Sequence, residues 1–178
     1  MPKEIYPHRT LLNSTFHLLE LVEAKQAHGK TDGITLECVA CLTLCAASVE
    51  ALVNFMGYAR SIEWRERASA PEKLEALYKA AGIGMDLNVD PLLSIEQLRG
   101  FRNSVMHSKP EISDAVKMTE DGYPSLDESW MEGVTPERCR NMYDQTKVFQ
   151  RTFYDALNIE IHEEMSSAVA SVSLKNAS

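Results

Sequence analysis

The sequence lacks the signatures of several large classes of protein. It has no P-loop, no Gly-x-Gly-x-x-Gly stretch and no Glu-x-x-His pair, which are the motifs of phosphate loops, dinucleotide folds and di-iron bundles. Its longest apolar stretch, residues 34–58, is interrupted by Glu37, Glu50 and Asn54, so no window reaches the roughly 18 apolar residues of a membrane span. The opening residues MPKEIYPHRT contain no apolar segment after a basic residue, unlike a secretory signal. We therefore predict a soluble, cytoplasmic protein.

Positive charge is also scarce. The 178-residue chain has 18 Lys and Arg residues against 26 Asp and Glu residues, which gives a formal net charge of -8. Non-specific binding to nucleic acid requires Lys and Arg clustered over a large face, so any contact with nucleic acid must be local. With 44% hydrophobic and 25% charged residues, the composition predicts one folded domain, residues 1–165, followed by a frayed tail, residues 166–178.

The four cysteines are predicted to be reduced thiols, because a chain of this length without a secretory signal rarely carries a disulfide framework. Cys38, Cys41 and Cys45 follow an i, i+3, i+7 pattern that places them on one face of a helix. A metal could use them together with Cys139. Their spacing coincides with an apolar helix stripe, whereas structural zinc takes ligands from a turn. We therefore predict core packing, without a metal or other cofactor.

Helical periodicity extends over most of the chain, and alternating strand patterns are scarce. The pattern predicts an all-α fold, an antiparallel bundle of about five main helices, with a short irregular or hairpin insertion at residues 111–134. Gly82 and Pro110 predict where the third and fourth helices stop. The residues predicted to open or cap the five helices are Tyr6, Asp32, Ser69, Asp90 and Thr135. The inner face of the last helix is predicted to carry Cys139, Met142, Thr146, Phe149, Phe153, Ala156 and Leu157.

The segment FRNSVMHSKP, residues 101–110, reverses the local sign of charge. In the window 97–110 the charged residues are Arg99, Arg102 and Lys109, with no carboxylate among them. In an acidic protein such a window predicts contact with an anion. Arg99 and Lys109 are therefore candidate phosphate-binding or RNA-binding residues.

The same segment contains candidate catalytic residues, Arg102, Asn103 and His107. A guanidinium is permanently charged and forks onto phosphate, while an imidazole can take and give a proton near neutral pH. Together these groups suit cleavage of a phosphodiester through its neighbouring hydroxyl without a metal. The structural alternative is that Arg102 caps a helix or forms a surface ion pair, and that His107 lies at a helix C-terminus because it suits the dipole there.

Helix geometry adds a constraint on this site. Five residues correspond to about 140° around a helix, so Arg102 and His107 do not share one face, whereas Asn103 and His107 do. Arg102 points nearer the apolar side of its helix. A kink, a second helix or a second subunit would therefore have to complete the site.

The stretch RNSVMH, residues 102–107, resembles the Arg-x4-6-His motif of HEPN domains, in the frequent form with Asn directly after Arg. The order of segments over residues 5–160 is also similar: a long apolar helix containing AASVEALVNF, a short EKLEALYKAAG helix, LRGFRNSVMH and a final long helix. The resemblance implies an all-α bundle, commonly a homodimer, in which two motifs face each other across a shared cleft.

Many HEPN proteins are metal-independent endoribonucleases that act as toxins or in phage defence. By this resemblance, Arg102 would bind the scissile phosphate and His107 would move protons at the 2′-hydroxyl or the leaving oxygen. Asn103 would orient the phosphate or the imidazole. Glu50 matches a polar position that supports the motif arginine in some members, with a plain solvent-facing residue as the alternative.

The chain departs from the family pattern in two respects. Some toxin members continue as His-x-Tyr, whereas Ser108 and Lys109 follow His107 here. The net negative charge of the protein also disfavours binding to RNA. Two expectations therefore stand: an endoribonuclease held in check by an inhibitory protein partner, or a catalytically silent interaction or nucleotide-binding module. Neither involves a membrane.

Overall fold

The computed structural model describes residues 6–65, 67–107 and 133–164, and it is built from helices. Their bounds are α1 (Pro7–Ala27), α2 (Ile34–Ala59), α3 (Ala70–Ala81), α4 (Leu92–His107) and α5 (Pro136–Leu157), followed by a short 3-10 helix (Ile161–Glu164). These ranges contain no strand, so the predicted all-α fold of five main helices is confirmed. Most of the predicted insertion, residues 111–132, and the predicted tail lie outside the described residues.

Two predicted helix starts are confirmed by their caps. At the start of α3, the Ser69 hydroxyl accepts a hydrogen bond from the Glu72 backbone N–H, and the Glu72 carboxylate accepts one from the Ser69 backbone N–H. Gly82 ends the helix in the left-handed conformation, at φ 66°. At α5, the Thr135 hydroxyl accepts a hydrogen bond from the Arg138 backbone N–H at 3.2 Å. These caps satisfy backbone groups that the first turn leaves unpaired.

The predicted capping of α2 by Asp32 is wrong. The residue that precedes this helix is Gly33, which has a left-handed φ of 69° and offers no side-chain cap. Because Asp32 lies one position too early, its side chain does not serve the first-turn amides. Its backbone carbonyl instead accepts a hydrogen bond from Lys25 Nζ at 3.0 Å, and Lys25 also pairs with Glu37. The turn between α1 and α2 is thus held by a lysine of α1.

Helix α2 is the centre of the described fold, because each of the other four α-helices packs against it. By length and composition α2 is the one described helix that could cross a membrane, and the core helix of a bundle passes the same test. The stripe of Cys38, Cys41 and Cys45 is buried as predicted, and it continues along α2 through the buried residues Val49, Leu52 and Phe55.

The inner face of α5 is confirmed with one exception. Ala156 is exposed, whereas Tyr154 is buried. At 100° per residue, the buried stripe runs from Phe149 and Phe153 towards Gln150, so Tyr154 lies within it and Ala156 falls just beyond its other edge. The prediction placed the centre of the stripe slightly too far to one side.

The connection between α2 and α3 depends on close packing of Trp64 against Gly57. A Cβ atom added to Gly57 would lie 1.8 Å from Cη2 of the Trp64 ring. Lys73 of α3 lies over the same ring, with Nζ 5.7 Å from its centroid, and Nζ also donates a hydrogen bond to Asn54 Oδ1 at 2.8 Å. The missing side chain at Gly57 therefore lets the connection lie against α2 and sets where α3 begins.

We expect Gly57→Ala to lower the free energy of unfolding by about 1–3 kcal/mol, because the added methyl group would displace the Trp64 ring. Gly100 is the matched control, since it also lies inside a helix and has no atom within 4 Å of an added Cβ. Gly100→Ala should raise the free energy of unfolding by about 0.5–1 kcal/mol through helix propensity. Urea unfolding followed by circular dichroism measures both, and a stabilising effect at Gly57 would contradict the close packing.

Candidate functional site

The candidate site is a cavity of about 320 Å³ between α2, the start of α3 and α4. Four of the six predicted site residues line it: Glu50 from α2, and Arg99, Arg102 and Asn103 from α4. The apolar part of the wall is formed by Ala46, Val49, Val53, Leu74, Ile95 and Leu98. The cavity therefore combines an apolar interior with polar groups at one side, the usual composition of a small-ligand site.

Arg102 is held loosely at this cavity. Its Nη1 donates a hydrogen bond to Asn103 Oδ1 at 3.2 Å, and its Nη2 lies 3.8 Å from a carboxylate oxygen of Glu50. The two side chains of the ion pair are 38% and 56% exposed. An exposed pair at this distance is weak, so the guanidinium keeps donor groups that an anion could use. Glu50 is thus both solvent-exposed and within reach of Arg102.

Arg99 is engaged more firmly than Arg102. Its Nε lies 3.2 Å from each carboxylate oxygen of Glu96, one turn earlier on α4, and this contact raises the pKa of Arg99. Together with Lys73, the described lining carries three cationic side chains against the single carboxylate of Glu50. The cavity is therefore cationic, although part of the charge of Arg99 is already balanced by its own helix.

His107 does not join these residues. It is exposed at the last position of α4 and is absent from the described lining of the cavity. Helix α4 is continuous from Leu92 to His107, so the two side chains keep the angular separation of about 140° that five helical residues give. Lys109, the other predicted RNA-binding residue, lies outside the described residues. A single chain therefore brings Arg102 and Asn103 together but leaves His107 apart.

Sequence reasoning missed the contribution of α3 to this cavity. The segment that leads into α3, including Ser69, lines the wall beside Lys73. The capping pattern of Ser69 and Glu72 does mark a helix start in the sequence, and a helix start attracts anions. Hydrogen bonds from the backbone N–H and the hydroxyl of Ser69 lower the pKa of the Glu72 carboxyl. This carboxylate therefore already uses donor groups at the helix start that an anion could otherwise bind. No pattern in the sequence predicts that the start of α3 lies beside α4.

The cysteines lie elsewhere in the core. All four are free thiols and buried, as the stripe pattern predicts. Within the described ranges, no group of three or more His, Cys, Asp or Glu side chains is arranged to hold a metal ion. The cavity beside Arg102 is therefore the best-formed candidate site in the described part of the chain.

Comparison of the chain with models of protein families, with curated proteins and with solved structures finds no match. The site is therefore interpreted from its own geometry, and the HEPN resemblance stays a prediction.

We expect Glu50 and Arg102 to be coupled by less than about 0.5 kcal/mol in a double-mutant cycle of Glu50→Gln and Arg102→Gln, because the pair is distant and exposed. The pair Glu23 and Arg140 is a matched reference: its side chains are 37% and 38% exposed, and it makes two hydrogen bonds of 2.7 and 2.6 Å between α1 and α5. The reference coupling should reach about 1 kcal/mol.

Urea unfolding of the single and double variants measures both couplings. If the Glu50 and Arg102 pair proves as strongly coupled as the reference pair, Arg102 is committed to a structural ion pair rather than held ready for a ligand.

Proposed function

We propose that the chain is a HEPN-like, metal-independent endoribonuclease, a toxin or phage-defence effector, whose catalytic site forms between two copies of the chain. The observation that carries this proposal is the loosely held guanidinium of Arg102 in a cationic cavity, 3.8 Å from Glu50 and 3.2 Å from Asn103. A guanidinium in this state retains the paired donors that bind a phosphate in a fork.

The separation of His107 from the cavity supports a second subunit as the missing component. Helix α4 runs without a break from Leu92 to His107, and the described lining of the cavity contains no histidine from another helix. Both observations on the described residues favour a partner copy as the way to complete the site. In a two-fold dimer the same contact occurs twice, so the exposed His107 of one protomer would reach the cavity edge of its partner.

The proposed reaction assigns a role to each residue. His107 takes the proton from the ribose 2′-hydroxyl, and the resulting oxygen attacks the neighbouring phosphorus and displaces the 5′-oxygen, which leaves as a hydroxyl after taking up the proton held by the imidazolium. Arg102 neutralises the charge that develops on the phosphate oxygens, while Asn103 helps to orient the phosphate. Glu50 helps to orient the guanidinium of Arg102. The products are a 2′,3′-cyclic phosphate end and a 5′-hydroxyl end.

Incubation of the purified protein with RNA in a chelator, followed by analysis of the product ends, tests this proposal. His107→Ala should lower the cleavage rate on the order of 10²- to 10⁴-fold, because the proton acceptor is lost. Arg102→Lys should also be damaging, since an ammonium group cannot reproduce the forked contact.

Matched controls are His17→Ala on α1 and Arg151→Lys on α5, both exposed and outside the cavity; each should leave the rate unchanged. Full nuclease activity of the His107→Ala protein would end the catalytic assignment.

A subunit-mixing experiment tests the shared site. Arg102→Ala and His107→Ala proteins should each be inactive, whereas a mixture equilibrated through dissociation should recover activity. With random exchange, about half of the dimers are mixed and each has one intact site of two, so about a quarter of the wild-type activity is expected. Light scattering provides the independent measurement of a dimer. A mixture that stays inactive, or a monomer that is fully active, contradicts a site built from two copies.

A second candidate is a catalytically silent module that binds an anionic small ligand such as a nucleotide. It is favoured by the cavity itself, whose volume of about 320 Å³ and apolar wall suit a small ligand, and by the distance of His107 from it. Calorimetric titration with mononucleotides distinguishes the two. Binding that weakens in Arg102→Lys, with RNA left intact, supports the silent module.

A further inference from the structure

Three thiols meet near the end of the bundle where α2 and α5 begin. Cys38 and Cys41 lie one turn apart in the first turns of α2, and Cys139 lies in the first turn of α5. Each is at most 1% exposed. The Cys139 sulfur lies 3.6 Å from the Cys38 backbone carbonyl across the contact between α5 and α2, and Cys139 is close enough to both α2 thiols to shift their pKa.

We propose that this cluster is a site of reversible disulfide formation, in which Cys139 is the shared partner and bonds to Cys38 or Cys41. The inference is independent of the proposed nuclease function. Residues three apart on a helix have Cβ atoms about 5–6 Å apart, whereas a disulfide requires about 3.5–4.5 Å. A bond between Cys38 and Cys41 would therefore require the two side chains to move closer within α2, whereas Cys139 already lies against the Cys38 turn from the neighbouring helix.

Cys45 is excluded from the site by its own surroundings. It lies one turn further into the core and its sulfur is 3.3 Å from Thr146 Oγ1. Burial raises the pKa of its thiol to about 12, so the reactive thiolate is suppressed there. Cys45 therefore supplies an internal control within the same helix stripe.

The other α2 thiols are better prepared for oxidation. The hydrogen bond from Cys139 lowers the pKa of Cys38 and of Cys41, and a helix start also favours a thiolate. The cluster lies within the first two turns of α2, and the start of this helix at Gly33 has no side-chain cap. Local opening of helix ends requires far less free energy than global unfolding. A small oxidant can therefore reach the thiols without unfolding the bundle.

Hydrogen peroxide serves as the oxidant in the balanced reaction. The thiolate of Cys38 or Cys41 attacks one peroxide oxygen and breaks the O–O bond, which forms a sulfenic acid and a hydroxide that takes up the thiol proton as water. The sulfur of Cys139 then attacks the sulfenic sulfur, and its proton leaves with the hydroxyl group as a second water. Two thiols and one peroxide thus become one disulfide and two waters, with two electrons passing from sulfur to oxygen.

Oxidation of the full-length protein with hydrogen peroxide tests the inference. After blocking of the remaining thiols under denaturing conditions, the number of free thiols should fall from the four of the sequence by two. Peptide mapping should find Cys139 bonded to Cys38 or Cys41 of the same chain. Because the bond closes a long loop between α2 and α5, the melting temperature should rise by on the order of 10 °C and return on reduction.

Two variants complete the test. Cys139→Ser should keep its three other thiols free under the same treatment, whereas Cys45→Ser should lose two thiols as the wild type does. The mapping of the wild-type protein needs no variant, so it decides the question even if Cys139→Ser fails to fold. Four thiols that stay free, a disulfide without Cys139, or a bond that forms only between chains would each overturn the inference.

Discussion

Burial of α2 is the constraint on which the remaining structure depends. The helix has four helical neighbours, and its core side chains, such as Leu52 and Met56, are at most 2% exposed. Enclosing so much apolar surface stabilises the bundle, and it also determines where the bundle stays open. Glu50, by contrast, is an exposed charged residue of α2 that lines the cavity beside α3 and α4. The candidate site is thus one of the places where the central helix reaches solvent.

The fold was predictable from the sequence because the decisive signals are local. The Ser69 and Thr135 caps and the periodic stripe of α2 each reflect contacts within a few residues, and such contacts leave a readable pattern. The two errors arose where local rules compete. Gly33, and not Asp32, precedes α2, because a left-handed turn shifted the helix start by one residue. Ala156 lies outside the buried stripe of α5, because residue spacing alone does not define where the edges of a stripe fall.

The candidate site was predictable only in part, and for a different reason. Residues on one helix, such as Arg102 and Asn103, share a surface whatever the tertiary arrangement. Lys73 joins them because Trp64 packs on Gly57 and brings α3 alongside, a contact between distant segments that a single sequence does not encode in any local pattern. The direction of Arg102 relative to His107 was derived from helix geometry, and the continuous α4 helix leaves that angle unchanged.

The continuity of α4 has a consequence for how activity would depend on the amount of protein. Along the continuous α4 helix, Arg102 and His107 are about 7.5 Å apart in the direction of the axis. If two copies are needed to assemble one site, the activity below the dissociation constant of the dimer falls with the square of the protein concentration. Such a protein has little activity at low concentration and becomes active once its concentration exceeds the dissociation constant. Its synthesis and degradation then decide whether that concentration is reached.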